Sequence, residues 1–391
     1  MNRLRKAGVG LSALLLVAVL VHAALPPAVA PKGEWKYSAA LLRPFWRGTA
    51  VESEPVLFIR QDKGGEARAN VLFPIERLIA VRNSAGDLTY REGLDFIWKP
   101  GSTEIILPAG SRITASTPDE LRRPPNTQKY VIAHRDGKGE ILFGSALEYH
   151  ALQSCITYTH APDAWHGPAP EFQPEALART VAKLKKRERL SIVVVGDSIS
   201  AGCNASGWAG GAPFQPAYPE LLRRHLEKHY GAEVVLTNPS VGGTDTRWVL
   251  TQIDQVVAPQ PDLVIVAFGM NDAAGRSQAE YRANIQAVIA KIRERRPAVE
   301  FVLVASMLGN PDWTRLEPKS FPAFRDALAT LCEPGVALAD VTSMWTAMLE
   351  RKRYWDLTGN GVNHPNDFGH RVYAQVISAL LIEPEMPVGR N

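Results

Sequence analysis

Two kinds of hydrophobic pattern divide this 391-residue chain. Beyond about residue 190, unbroken apolar runs such as Ile192-Val193-Val194-Val195 and Leu263-Val264-Ile265-Val266-Ala267-Phe268 alternate with stretches whose apolar positions recur at helical spacing. Leu221, Leu222, His225 and Leu226 form one such stretch. A strand that is apolar on both faces belongs inside a sheet covered by helices on both sides. The alternation predicts strands over 191–195, 233–237, 263–268, 300–305 and 336–339. It predicts helices from Tyr218 to His229, through Glu280 to Arg295, near 320–332, and from about Asp367 to Leu380. The expectation is an α/β fold with a doubly wound parallel sheet over residues 190–391, its strand-end loops gathered on one edge.

Residues 31–170 read differently. Short apolar-alternating runs, among them Pro55-Val56-Leu57-Phe58-Ile59, Leu78-Ile79-Ala80-Val81, Thr103-Glu104-Ile105-Ile106-Leu107 and Lys129-Tyr130-Val131-Ile132, are separated by turn signals. Those turns include Lys63-Gly64-Gly65, Ser84-Ala85-Gly86-Asp87 and Pro100-Gly101-Ser102. This pattern predicts a β-sandwich or jelly-roll-like domain. The proline-rich run from Gly167 to Pro174 then opens a linker and helix over 171–189.

The first thirty residues predict an export signal. Arg3, Arg5 and Lys6 precede an apolar core from Leu11 to Val21, which is short for a membrane span, and Val21-His22-Ala23 suits cleavage before Ala24. The mature protein is thus expected to be secreted or periplasmic, without stable membrane insertion. Basic residues number 44 against 40 acidic ones, and the three in the signal account for most of that excess. The one basic cluster, Lys183 to Arg189, reads as a solvated helix face, so no nucleic-acid partner is expected.

Cys155, Cys203 and Cys332 lie too far apart in sequence to form a disulfide framework; at most one pair could form. Neither C-x-x-C nor H-E-x-x-H spacing occurs, so no metal and no cofactor are expected. His150 and His160 read as loop or core residues.

The chemistry gathers at the ends of the apolar strands. Gly196-Asp197-Ser198-Ile199 follows the first run and places a serine hydroxyl just past a buried strand. Asn238-Pro239-Ser240-Val241-Gly242-Gly243-Thr244-Asp245 follows the second strand, and Gly269-Met270-Asn271-Asp272 the third. Asn363-His364-Pro365-Asn366-Asp367 precedes the last helix. A serine hydroxyl needs a base to take its proton, and a neutral imidazole can serve.

In that order the four blocks resemble the SGNH (GDSL-type) hydrolase family, over about residues 190–385. The resemblance implies a flavodoxin-like hydrolase domain with Ser198 as nucleophile and His364 as base. It implies an oxyanion hole formed by the backbone N–H groups of Ser198 and Gly243 and the side-chain amide of Asn271. Members of the family commonly carry an aspartate three residues before the histidine, where this chain has Gly361. Either Ser198 and His364 act as a dyad, with His364 held by a backbone carbonyl or an amide, or another acid such as Asp356 completes a non-standard triad.

A β-sandwich ahead of such a domain in an exported protein resembles the two-domain carbohydrate esterases. The resemblance implies removal of O-acetyl groups from an acylated carbohydrate through an acyl-serine intermediate. Two alternatives are a lipase- or thioesterase-type acyl hydrolase and a non-catalytic glycan-binding protein. A long-chain hydrolase calls for an apolar acyl groove, whereas the loops after residues 198 and 271 are small and polar. Asn204, Trp208, the Gly207–Gly211 run, Phe214 and Tyr218 are expected along one side of the mouth. Trp248, Trp313, Trp345 and Trp355 lie near the other blocks and are candidates for stacking on a sugar ring.

Overall fold

A computed structural model describes residues 33–61, 65–124 and 131–384. The expected export signal over 1–30, the Lys63-Gly64 turn positions and Lys129-Tyr130 lie outside the described residues. In the C-terminal half, five strands form an all-parallel sheet in the spatial order Val234–Thr237, Leu190–Gly196, Leu263–Ala267, Glu300–Ala305, Val336–Asp340. The first strand in sequence is therefore flanked by the second and third, and the order reverses beside it. Loops on the two sides of such a switch point diverge and leave a crevice at the carboxyl ends of the strands. Every residue of Leu190–Gly196, Leu263–Ala267 and Glu300–Ala305 is buried, which explains why these strands read as unbroken apolar runs.

The major helices fall where the periodicity places them, at Tyr218–Tyr230, Gln278–Arg295, Ser320–Ala329 and Asp367–Leu381. A further helix, Val341–Leu349, follows the last strand directly from its N-cap Asp340, whose carboxylate accepts from Ser343 N at 2.8 Å. Among the described residues, no helix is long and apolar enough to cross a membrane.

The N-terminal region is strand-rich. Ala50–Val56 and Arg77–Asn83 flank Ser154–Thr159 in an antiparallel sheet. A five-stranded sheet runs Ile97–Trp98, Glu104–Leu107, Ala67–Asn70, Phe58–Arg60, Ala115–Ser116. Val51, Val81, Ile156 and Tyr158 of the first sheet share one apolar core with Phe58, Ala69 and Ile105 of the second. A small third sheet is formed by Arg122–Arg123, Glu140–Leu142 and Val131–Ala133.

That core continues without a break into the C-terminal half. Lys352 and Glu54 form a fully buried ion pair between the two halves at 2.7 Å. The ammonium also donates to the carbonyls of Pro55 and Asn70, and the carboxylate accepts from Leu72 N and the Tyr158 hydroxyl. Arg371 of the last helix donates to the carbonyls of Glu52 and Ser53. The further bonds to Lys352 and Glu54 are what make that buried ion pair tolerable.

Candidate active site

Ser198 is the first residue of the short helix Ser198–Ala201, directly after the switch-point strand. Asp197 caps this helix by accepting from Ile199 N at 2.9 Å. The serine is 7% exposed, and its Oγ lies 2.8 Å from Nε2 of His364, a residue 166 positions away.

His364 sits on an irregular loop built by side chains. Oδ1 of Asn360 accepts from the backbone N–H groups of Val362, Asn363 and His364 at 2.9–3.0 Å. Thr358 Oγ1 accepts from Gly361 N and donates to the His364 carbonyl, both at 2.9 Å. From a neighbouring loop, Asn310 Nδ2 donates to the Gly361 carbonyl at 2.8 Å. A buried loop must satisfy its main-chain groups in this way, and doing so fixes the backbone beneath the imidazole.

The other ring nitrogen, Nδ1, lies 2.7 Å from Oδ1 of Asn204. The identity of the amide atoms follows from their surroundings, because Asn204 Nδ2 faces the carbonyls of Ala146 at 3.0 Å and Gly359 at 3.1 Å. An amide nitrogen donates and cannot accept, so Oδ1 must be the atom turned toward His364. Nδ1 therefore carries the proton, and Nε2 offers its lone pair to the Ser198 hydroxyl. Asn204 occupies the left-handed region at φ 65°, which asparagine tolerates better than most residues.

The expectation that Asp356 could complete the site is corrected. Its Oδ1 accepts from Leu57 N at 2.7 Å and its Oδ2 from Arg353 N at 2.9 Å, so the carboxylate serves the interface between the halves. No carboxylate among the described residues hydrogen-bonds His364. The missing aspartate at 361 also has a steric reason. A Cβ on Gly361 would lie 2.4 Å from both the Leu142 carbonyl oxygen and the Tyr149 hydroxyl, and the residue's φ of 82° disfavours any side chain.

Gly243 and Asn271 flank the same strand end. Gly243 has φ 78°, with open space where its Cβ would stand, so its backbone is bare toward the crevice. Preceding it, Gly242 is close enough that an added Cβ would contact Ser198 Cβ at 3.6 Å. Asn271 Nδ2 donates to the Thr244 carbonyl at 2.9 Å, which orients the amide and ties the third strand's loop to the glycine loop. One of its two amide hydrogens is engaged there, and the second has no protein acceptor among the described residues. The backbone N–H groups of Ser198 and Gly243 also lack protein acceptors among those residues.

Burial, reinforced by the ring of His370, pushes the imidazole of His364 down to about 3. No nearby carboxylate counters this. Asp197 and Asp272 shift in the opposite direction, up to about 7 and about 6, chiefly through burial. A neutral imidazole facing a hydroxyl, beside three unused N–H donors, is an arrangement suited to nucleophilic attack on a carbonyl.

The remaining residues singled out in the sequence scatter. Trp345 is wholly buried in the core, while Trp208, Trp248, Trp313 and Trp355 keep part of their surface. His160 stacks on Phe73 at 4.1 Å, and His150 Nε2 contacts the Ala212 carbonyl at 2.8 Å. The three cysteines are unpaired. Asn204 stands in the sequence as a mouth residue, and its bond to His364 is the feature that sequence reasoning missed. The only local cue is its place in the tight Gly202-Cys203-Asn204 turn, six residues past the serine.

No curated protein sequence matches the chain. Among solved structures, a two-domain esterase active on acetylated mannans is 20% identical with a TM-score of 0.44; the match covers 57% of this chain and 60% of that one. A catalytic mutant of an acetylxylan esterase from Geobacillus stearothermophilus is 18% identical with a TM-score of 0.41, covering 50% of this chain and 95% of that one. A lipase from a goat rumen metagenome is also 18% identical, with a TM-score of 0.40, over 49% of this chain and 97% of its own. Residues 194–372 match the family model described as GDSL-like lipase/acylhydrolase, the span that holds Ser198, Gly243, Asn271 and His364. Residues 194–372 thus form a GDSL-like lipase/acylhydrolase domain.

Proposed function

We propose that the protein is an exported serine esterase that removes O-acetyl groups from a carbohydrate, with Ser198 as nucleophile, His364 as base and Asn204 as the partner that orients the base. The observation that carries this reading is the unbroken chain Ser198 Oγ, His364 Nε2, His364 Nδ1, Asn204 Oδ1, with contacts of 2.8 and 2.7 Å at its two ends.

In this mechanism Ser198 Oγ attacks the ester carbonyl carbon while His364 Nε2 takes the hydroxyl proton. The oxyanion is met by the N–H groups of Ser198 and Gly243 and the free amide hydrogen of Asn271. When the tetrahedral species collapses, the C–O bond to the sugar breaks and the imidazolium returns its proton to the departing sugar oxygen. Water, deprotonated by His364, then attacks acetyl-Ser198. Acetate leaves, and the proton on His364 goes back to Ser198 Oγ.

Asn204 keeps the imidazole in the tautomer that this sequence requires. An asparagine that presented its NH₂ group would impose the opposite tautomer, a fault worth about 10⁴ in kcat in a serine protease. Here the carbonyls of Ala146 and Gly359 prevent that flip.

An acetyl group, rather than a long acyl chain, suits loops that offer Gly242, Gly243, Ala273 and Ala274 near the oxyanion donors. The half-buried rings of Trp208 and Trp313 sit on loops carrying Asn204 and Asn310, beside the histidine turn, and can meet a sugar face. Hydrolysis rates on p-nitrophenyl esters of increasing chain length test this reading. Acetate should be strongly preferred, and a preference for octanoate or longer would replace it with a lipase.

A further inference from the structure

The surroundings of His364 owe much to one stretch of the N-terminal region. The Ala146 carbonyl is an acceptor for Asn204 Nδ2. Gly144 N donates to the carbonyl of Asn360, the residue whose side chain builds the histidine turn, at 3.1 Å. The Leu142 carbonyl and Tyr149 hydroxyl, themselves bonded at 2.8 Å, fill the space beside Gly361. Gln153, only 4% exposed, donates from Nε2 to the carbonyls of Trp355 at 2.7 Å and Thr358 at 2.9 Å. Its Oε1 accepts from Asn366 Nδ2 at 3.1 Å.

We propose that the segment Leu142–Gln153 is a positioning element of the catalytic centre, which makes an amide the partner of His364, with Gln153 as the residue that holds the histidine's loop in register. The inference rests on Ser198 and His364 being the catalytic pair.

An acid that would orient His364 could stand at two places; this segment closes the first and, together with Gly359, the second. At 361, the Leu142 carbonyl and Tyr149 hydroxyl leave no room for a Cβ. At 204, a carboxylate would turn one oxygen toward the carbonyls of Ala146 and Gly359, setting acceptor against acceptor where an amide donates. An amide satisfies every group present, and a carboxylate satisfies none of the carbonyls.

Gln153 acts through the loop. One carboxamide bonds to Thr358, where the histidine loop begins, and to Asn366, where it ends as the N-cap of the last helix. Losing it removes an anchor from both ends of the loop at once. A misplacement of about 1 Å at a base can cost about 10²-fold in rate.

The test uses the full-length protein with p-nitrophenyl acetate, well below the melting temperature. For Gln153→Ala, kcat is expected to fall about 10- to 100-fold with KM within about twofold of wild type. Gln153→Met nearly keeps the volume while removing all three bonds, and the same loss is expected. A Gln153→Met protein with a lowered melting temperature and wild-type kcat would make the contact merely structural and overturn the proposal. Ser198→Ala is assayed alongside: if it stays active, the catalytic assignment fails, whereas an inactive Ser198→Ala beside a fully active Gln153→Met sinks only this inference.

Discussion

Asn204 and His364, 160 residues apart, meet at 2.7 Å through an amide oxygen and a ring nitrogen. The amide orients the imidazole but brings no charge to stabilise an imidazolium. Asn204→Ala should therefore lower kcat by on the order of 10², less than the roughly 10⁴ that follows loss of tautomer control in a serine protease. Asn204→Asp should not restore a charged triad, because its second oxygen would face two carbonyls. Its melting temperature should fall below that of the wild type. Steady-state kinetics and thermal melts of the two variants check both statements, and an Asp variant faster and more stable than wild type would contradict them.

Asp356 separates structural from catalytic loss. Asp356→Asn retains one acceptor for Leu57 N and Arg353 N in place of two, at a cost of about 1–3 kcal/mol for the buried donor left unpaired. Thermal unfolding should show that loss. The kcat of the folded enzyme should fall less than about tenfold, since the carboxylate does not orient the base.

Asn271→Ala removes one of the three donors that the proposed mechanism aims at the oxyanion. A kcat drop of about 10²–10³ with KM nearly unchanged is expected. A rise in KM alone would make Asn271 a substrate-binding residue and move the hole elsewhere.

The pH dependence follows from His364. In the proposed mechanism the neutral imidazole is the active form, and burial holds its pKa down to about 3. Activity should persist as pH falls through 6.5 and fade only toward the low pKa. A kcat/KM profile with its acid limb near 6.5 would contradict this.

The stability profile has opposing parts. His225, His364 and His370, with folded pKa values of about 4, 3 and 4, stay neutral where the unfolded chain's histidines take protons. Their contribution is complete above 6.5 and lost as pH falls below it. Asp197 and Asp272, raised to about 7 and 6, keep protons that the unfolded chain releases above the ordinary carboxylate value. Their contribution is present at low pH and lost as pH rises through 6–7. Between pH 6.5 and 4.5 three histidines outweigh two aspartates by about one proton, so the melting temperature should fall modestly as pH drops through that range.

The five strands of the parallel sheet were legible because each is buried on both faces and so must be apolar throughout, as Val193 and Ile265 are. The placement of Ser198, Gly243 and Asn271 at one edge of the sheet was legible because each stands shortly after an apolar strand in sequence. The partner of His364 was not. Asn204 is set opposite the imidazole by carbonyls of Ala146 and Gly359, and a backbone carbonyl leaves no trace in residue identity. Ser154–Thr159 escaped for a related reason. Its alternation of buried Ser154, Ile156 and Tyr158 with half-buried polar positions is weak in composition, and it gains its place only by pairing with two strands distant in sequence.

The most direct test is acetate release from a panel of acetylated polysaccharides by the purified protein and by Ser198→Ala. The wild type should release acetate from at least one glycan, and the variant should fold normally yet lose the activity by several orders of magnitude, the scale of a lost nucleophile. A Ser198→Ala protein that keeps more than about a tenth of the wild-type rate, a fraction no lost nucleophile leaves, would show that the ester bond is broken by some other group.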